Sequence, residues 1–155
     1  MIVEKRYPNG CLRSRRFLEN NKLHRTDGPA FIQYWKNSQR KTKHWLTNNR
    51  YAIQEEPNYI EYLNDEIVCV KEWRIGSLTK KKVHRKNGPA RFMYSPHPPY
   101  GLIVEEWIEF DLAHREDGPA TSWYRDDLSV GTQHWIVHNY RHRIDGPAIV
   151  KGNNK

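Results

Sequence analysis

Histidine and aspartate three residues apart are the raw materials of acid–base catalysis or metal binding, and this chain of 155 residues repeats that pairing. Leu23-His24-Arg25-Thr26-Asp27-Gly28-Pro29-Ala30 recurs as Val83-His84-Arg85-Lys86-Asn87-Gly88-Pro89-Ala90, as Ala113-His114-Arg115-Glu116-Asp117-Gly118-Pro119-Ala120 and as Arg141-His142-Arg143-Ile144-Asp145-Gly146-Pro147-Ala148. If each copy sits on its own pair of strands, equivalent histidines lie on the order of 10 Å apart. Zinc–nitrogen bonds are about 2 Å long, so one ion cannot bridge two copies. An acid–base pair also needs two groups in unlike settings, whereas this pattern multiplies one setting. Phosphate-binding glycine loops, nucleophile elbows and zinc-binding HExxH helices are absent from the sequence. The sequence therefore points away from an enzyme, with no catalytic residue, metal site or cofactor expected. Asp or Asn, Gly, Pro and Ala in that order read first as a turn. The acid bonds its own backbone, Gly supplies a positive φ, Pro fixes φ near −65° and Ala leaves room for a neighbour. The motif histidine is expected to pack on a Trp strand and donate to a backbone carbonyl or to the motif Asp.

Arg25, Arg85, Arg115 and Arg143 could form a ladder for phosphates, but in three of the four motifs an Asp two residues on offers a local partner. The basic residues outside the motif are better candidates for a binding surface. Residues 1–50 hold 12 Lys or Arg against 3 acids, and residues 51–155 hold 14 against 15. Arg13, Arg15, Arg16, Arg40, Lys41 and Lys43 cluster in two short stretches, and these six are the candidate partner-binding residues. Strand alternation puts Arg13, Arg15 and Phe17 on one face, and Lys41, Lys43 and Trp45 on one face of the next unit. Two neighbouring strands would then show cations beside aromatic rings. Such a surface suits an acidic protein patch, or single-stranded nucleic acid through phosphate charge and base stacking.

The elements that must position these residues follow from the repeat. A tyrosine lies five residues after three motif prolines, at Tyr34, Tyr94 and Tyr124, and Trp45, Trp107 and Trp135 each precede a motif histidine position by seven. The same register exposes a decayed copy from Tyr51 to Tyr62, with Pro57 in the proline place and Trp73 after it; Tyr7 and Phe17 fill the places at the start. Five units of about 1–29, 30–57, 58–89, 90–119 and 120–155 make one repeat domain. Tyr, Trp, Val and Ile flank polar breaks such as Pro8-Asn9-Gly10, Lys36-Asn37-Ser38-Gln39, Leu63-Asn64-Asp65-Glu66 and Arg125-Asp126-Asp127, which reads as strand, turn, strand. After the Trp strand, Asn20-Asn21, Asn48-Asn49 or Asn139 supply residues tolerant of left-handed turns. The expected fold is all-β, an elongated single-layer solenoid of antiparallel hairpins. The middle is irregular: Ile53-Gln54-Glu55-Glu56-Pro57, Lys80-Lys81-Lys82 and Ser95 to Gly101 depart from the repeat.

Leu, Ile, Val and Phe make up only 32 of the 155 residues, so six Trp and nine Tyr must supply much of the core. Stretches apolar enough to span a membrane, and a signal peptide's apolar run, are missing, which leads to the expectation of a cytoplasmic protein that binds no membrane. Cys11 and Cys69 lack CxxC spacing and read as reduced, partly buried thiols.

The HRxDGPA segments at His24–Ala30, His84–Ala90, His114–Ala120 and His142–Ala148, with their Tyr and Trp landmarks, resemble a MORN-like hairpin repeat of small proteins from tailed phages and large DNA viruses. That resemblance implies a non-enzymatic accessory protein, in the host cytoplasm, that binds and inhibits a host macromolecule such as a defence complex. It supplies no catalytic residue. The dense glycines of ordinary MORN repeats are missing here, which argues against lipid binding.

Overall fold

A computed structural model describes residues 1–36 and 38–152. Asn37, in the expected Lys36–Gln39 turn, lies outside the described residues. The chain is all-β and antiparallel, and it divides into two compact units, Met1–Lys82 and Val83–Lys155.

The first unit contains β1 (Ile2–Arg6), β2 (Leu12–Glu19), β3 (Lys22–Leu23), β4 (Phe31–Tyr34), β5 (Lys41–His44), β6 (Leu46–Thr47), β7 (Arg50–Tyr51), β8 (Tyr59–Tyr62), β9 (Val68–Glu72) and β10 (Arg74–Gly76), and β11 (Lys81–Val83) runs across the division. Its main sheet has the order β1-β2-β4-β5-β8-β9. Arg15 stands opposite both Glu4 and Ile32, Ile32 opposite Lys43, and Lys43 opposite Ile60. Because residues directly opposite each other share a face, this register defines two faces. One carries Glu4, Arg15, Ile32, Lys43 and Ile60. The other carries Val3, Arg16, Phe31, His44 and Tyr59.

The second unit contains β12 (Arg91–Tyr94), β13 (Leu102–Glu106), β14 (Ile108–Glu109), β15 (Leu112–Ala113), β16 (Thr121–Tyr124), β17 (Val130–His134), β18 (Ile136–Val137), β19 (Tyr140–Arg141) and β20 (Ile149–Lys151). Its main sheet runs β12-β13-β16-β17-β20. Register shifts occur just before Tyr62, Tyr94 and Tyr124. These three tyrosines thus sit at bulges, where a strand bends and re-aims a side chain, whereas Tyr34 pairs with Lys41 in unbroken register.

The return segments form hairpins of their own, which the expected single layer lacks. β6 pairs with β7, β14 with β15 and β18 with β19, while the end of β2 pairs with β3. Each tip has two consecutive left-handed residues: Asn20 and Asn21, Asn48 and Asn49, Phe110 and Asp111, and His138 and Asn139, with φ from 48° to 70°. That is the geometry of a two-residue turn whose twist matches the flanking strands. Leu46 of β6 and Tyr51 of β7 pack against Phe31 and Tyr59 of the main sheet, so the short hairpin forms a second layer over one face. Ala30 and Leu46 are fully buried there, and Val83, Ala90 and Ile108 form the core of the second unit.

Candidate cation–aromatic face and the repeated arginine clamp

The HRxDGPA turn is a clamp around arginine. The Arg25 guanidinium lies 4.1 Å from the Phe17 ring centre, Arg115 4.0 Å from Trp107 and Arg143 3.9 Å from Trp135. On its other side the glycine leaves the space: a Cβ on Gly28 would stand 3.0 Å from Arg25 Cζ, and one on Gly118 2.7 Å from Arg115 Cζ. The positive φ expected of the motif glycine is present at Gly88 and Gly146, with φ of 158° and 154°, but not at Gly28 and Gly118, where close approach of the arginine is what requires glycine. Arg25 Nε donates to Asp27 at 2.7 Å and Arg115 Nε to Asp117 at 2.7 Å, and these bonds hold both carboxyls below the usual range. Ala30, Ala90 and Ala120 are completely buried, as the need for a small residue implied. Arg25 and Arg115 are therefore engaged within their own turns instead of forming a free phosphate ladder.

The motif histidines do something other than bond the motif Asp. His84 stacks on Phe110 and the His114 ring lies tilted against that of His138, each pair with ring centres 4.2 Å apart. His114 Nδ1 accepts from the backbone N–H of His138 at 3.3 Å. His24 Nε2 lies 3.2 Å from Glu19. Stacking on the tip of the following hairpin supports Phe110, a residue with no intrinsic liking for left-handed backbone. Among the described residues, no group of three His, Cys, Asp or Glu side chains could hold a metal ion.

The six candidate binding residues do not form one surface. By register Arg15 and Lys43 share a face, and alternation adds Lys41. Arg13 is the extra residue at the β1–β2 register shift, where Lys5 pairs with Ser14 and Arg6 with Leu12, so alternation does not assign it to one face. Arg16 belongs to the opposite face, where its guanidinium lies 5.5 Å from the Phe31 ring centre. Arg40 closes the β4–β5 connection and pairs with Glu61 at 3.3 Å. The strands β2 and β5 are not adjacent either. The motif turn returns the chain as β4, which enters between them.

The rings beside the cations also differ from expectation. Phe17 is covered by Arg25 of its own clamp. The shared face instead uses tyrosines: Lys43 Nζ lies 4.8 Å and Lys41 Nζ 5.5 Å from the Tyr62 ring centre, and Arg13 Cζ 5.8 Å from that of Tyr7, whose hydroxyl donates to Tyr34 O at 3.0 Å. Tyr62 stands directly opposite Lys41 on β8, a cross-strand neighbour that alternation along one strand cannot reveal. Burial and the nearby Lys41 push the Lys43 amine below its ordinary value. Glu4 bonds Arg15 at 2.8 Å and Asp65 bonds Lys41, which holds both carboxyls low. The face is thus a mosaic of cations, rings and two acids.

Behind it lies a buried polar chain. Arg74 Nη1 donates to Tyr51 Oη at 3.1 Å, Tyr51 Oη is 2.8 Å from His44 Nδ1, and His44 Nε2 is 3.1 Å from Thr42 Oγ1. Arg74 Nε donates to Glu72 at 2.6 Å and the guanidinium lies 3.3 Å from the Tyr59 ring centre. Arg74 follows Trp73 as Leu46 follows Trp45, so a buried ion pair stands where the preceding unit places an aliphatic side chain. Asn58 fills the motif alanine place, donating to Ala52 O and Arg74 O and accepting from Arg74 N. The decayed copy is therefore a polar rebuild of the core. The sequence marks this segment only as a departure from the repeat.

No family model, curated protein or solved structure matches the chain. No helix is long and apolar enough to cross a membrane. Cys69 is buried and Cys11 is exposed, which corrects the expectation of two partly buried thiols; neither forms a disulfide.

Proposed function

We propose that this protein is a non-enzymatic binding protein, a MORN-like solenoid of about five hairpin units that docks an acidic protein through the face bearing Arg13, Arg15, Lys41 and Lys43. The observation that carries this reading is the mosaic itself. Cations seated on Tyr7 and Tyr62 are held beside Glu4 and Asp65, an arrangement of fixed, mixed charge that complements a shaped protein patch. The sequence resemblance extends the reading to a virus-encoded accessory protein that inhibits a host macromolecule such as a defence complex.

Single-stranded nucleic acid is the second reading. Its stacking contribution needs open ring faces, whereas Tyr62 already carries two ammonium groups and Tyr7 a guanidinium. The two readings separate by affinity capture from host lysate alongside titration of a labelled oligonucleotide at two salt concentrations. The expected result is a stoichiometric protein complex that the combined substitution R13E/R15E/K41E/K43E abolishes while circular dichroism stays unchanged. Capture of the same partner by that variant would sink the proposal. Tight oligonucleotide binding with steep salt dependence would favour the second reading.

A further inference from the structure

On the opposite face of the first sheet, a cavity of 160 Å³ is lined by Lys5, Arg13, Ser14, Arg16, Phe31 and Gln33. Register explains how it assembles. Lys5, Ser14 and Gln33 stand opposite one another across β1, β2 and β4, and Arg16 and Phe31 form the adjacent row. None of the six is acidic. Several other cations of the first unit are paired: Arg6 and Arg15 with Glu4, Arg40 with Glu61 and Lys41 with Asp65. Among the described residues Lys5, Arg13 and Arg16 form no ion pair. Ser14 is 5% exposed, and the Nε of Arg16 is shielded from solvent without an acceptor. A buried donor left unpaired costs on the order of 1–3 kcal/mol, more when it belongs to a charged group, so Arg16 carries an unmatched donor beside the pocket.

We infer that the cavity is a binding site for a single tetrahedral oxyanion, a phosphate ion or the phosphoryl group of a modified side chain. An anion there accepts from Arg16, whose guanidinium offers several N–H donors in a planar fork. Lys5 supplies a second charge, and Ser14 and Gln33 supply neutral donors. Its volume equals that of about five water molecules at about 30 Å³ each, enough for one oxyanion and part of its hydration. The site is separate from the proposed docking face, with which it shares only Arg13.

The test is a titration of the full chain, followed through the arginine Nε–H resonances. Inorganic phosphate and O-phosphoserine form the two arms, with chloride at equal ionic strength as the control. Both phosphoryl compounds are expected to shift the Arg16 signal, and the tighter arm identifies the source. Arg16→Gln is expected to weaken phosphate binding by about ten-fold, the range of one charge-assisted pair, whereas Arg15→Gln, on the other face, leaves it within about two-fold. Lys5 is exposed, so Lys5→Gln preserves the fold and is expected to weaken binding several-fold even if the Arg16 variant does not fold. Equal shifts with chloride, no shift with either phosphoryl compound, or unchanged affinity in both Arg16→Gln and Lys5→Gln overturns the inference.

Discussion

Burial and the nearby Arg74 cation lower the His44 pKa from 6.5 to about 3, so the ring is neutral in the folded protein at ordinary pH. Between those two values the unfolded chain binds the proton and the folded chain does not. Stability is therefore full above pH 6.5 and is lost as the pH falls towards 3. The expected slope is about 1.4 kcal/mol per pH unit from this one group. Urea unfolding from pH 6.5 to 4.5 reads it above the range where the lowered carboxyls titrate, and His44→Gln should flatten it; His134, lowered by burial and by Arg141, contributes a smaller part. A second residue-scale expectation concerns Gly118. Gly118→Ala forces Arg115 off Trp107 and Asp117, for a loss of about 1–2 kcal/mol. In an Arg115→Ala background the same change should cost almost nothing, a coupling that a double-mutant cycle measures directly.

At the scale of elements, each short hairpin is tied to the preceding motif. Asn49 Oδ1 accepts from Leu23 N at 2.7 Å, Asp111 Oδ1 from Val83 N at 2.6 Å and Asn139 Oδ1 from Ala113 N at 2.7 Å, each linking one hairpin to the previous motif. The same three residues return a backbone bond, from their own N–H to the carbonyls of Leu23, Val83 and Ala113. Asn139→Ala is expected to cost about 2 kcal/mol, from the orphaned N–H and the left-handed backbone. Asn139→Gly, which keeps the backbone preference, should cost about half of that, and thermal unfolding distinguishes them. In the β9–β10 segment, Arg74→Ala leaves Glu72 buried without its cation, at a cost of about 3–5 kcal/mol. Replacing both with Leu should be far milder, because it leaves no buried charge and Leu46 fills the place equivalent to Arg74 in the preceding unit.

Across the whole molecule, the formal charge of +8 belongs to one unit: Met1–Lys82 holds 17 basic against 9 acidic residues, and Val83–Lys155 holds 9 against 9. An acidic partner should therefore meet the first unit, with an on-rate that salt suppresses. Raising ionic strength from about 0.01 to 1 M shortens the screening length from about 30 to 3 Å. The expected result is a fall in association rate of at least ten-fold, read by stopped-flow or surface plasmon resonance, with the dissociation rate changing much less. Equal rates at both salts would place the partner elsewhere.

The all-β antiparallel hairpins, the asparagine turns and the Arg25–Asp27 and Arg115–Asp117 pairs were legible in the sequence. Each depends on residues within a few positions of one another, where alternation and turn preference act. The left-handed asparagines at 20, 21, 48, 49 and 139 are where their chemistry suggested. What needed the tertiary structure is everything decided across strands. The entry of β4 between β2 and β5 sets which side chains stand opposite, so Tyr62 serves Lys41 and Lys43, Glu4 serves Arg15, and Arg16 turns to the other face. The same register gathers Lys5, Ser14 and Gln33 around one cavity and buries His44, Tyr51, Glu72 and Arg74 in one polar chain. Charge is a property of the sequence, but its pairing is not. A cation's partner is chosen by the strand that folds beside it, and that choice divides six clustered basic residues between the two faces of a sheet and a turn.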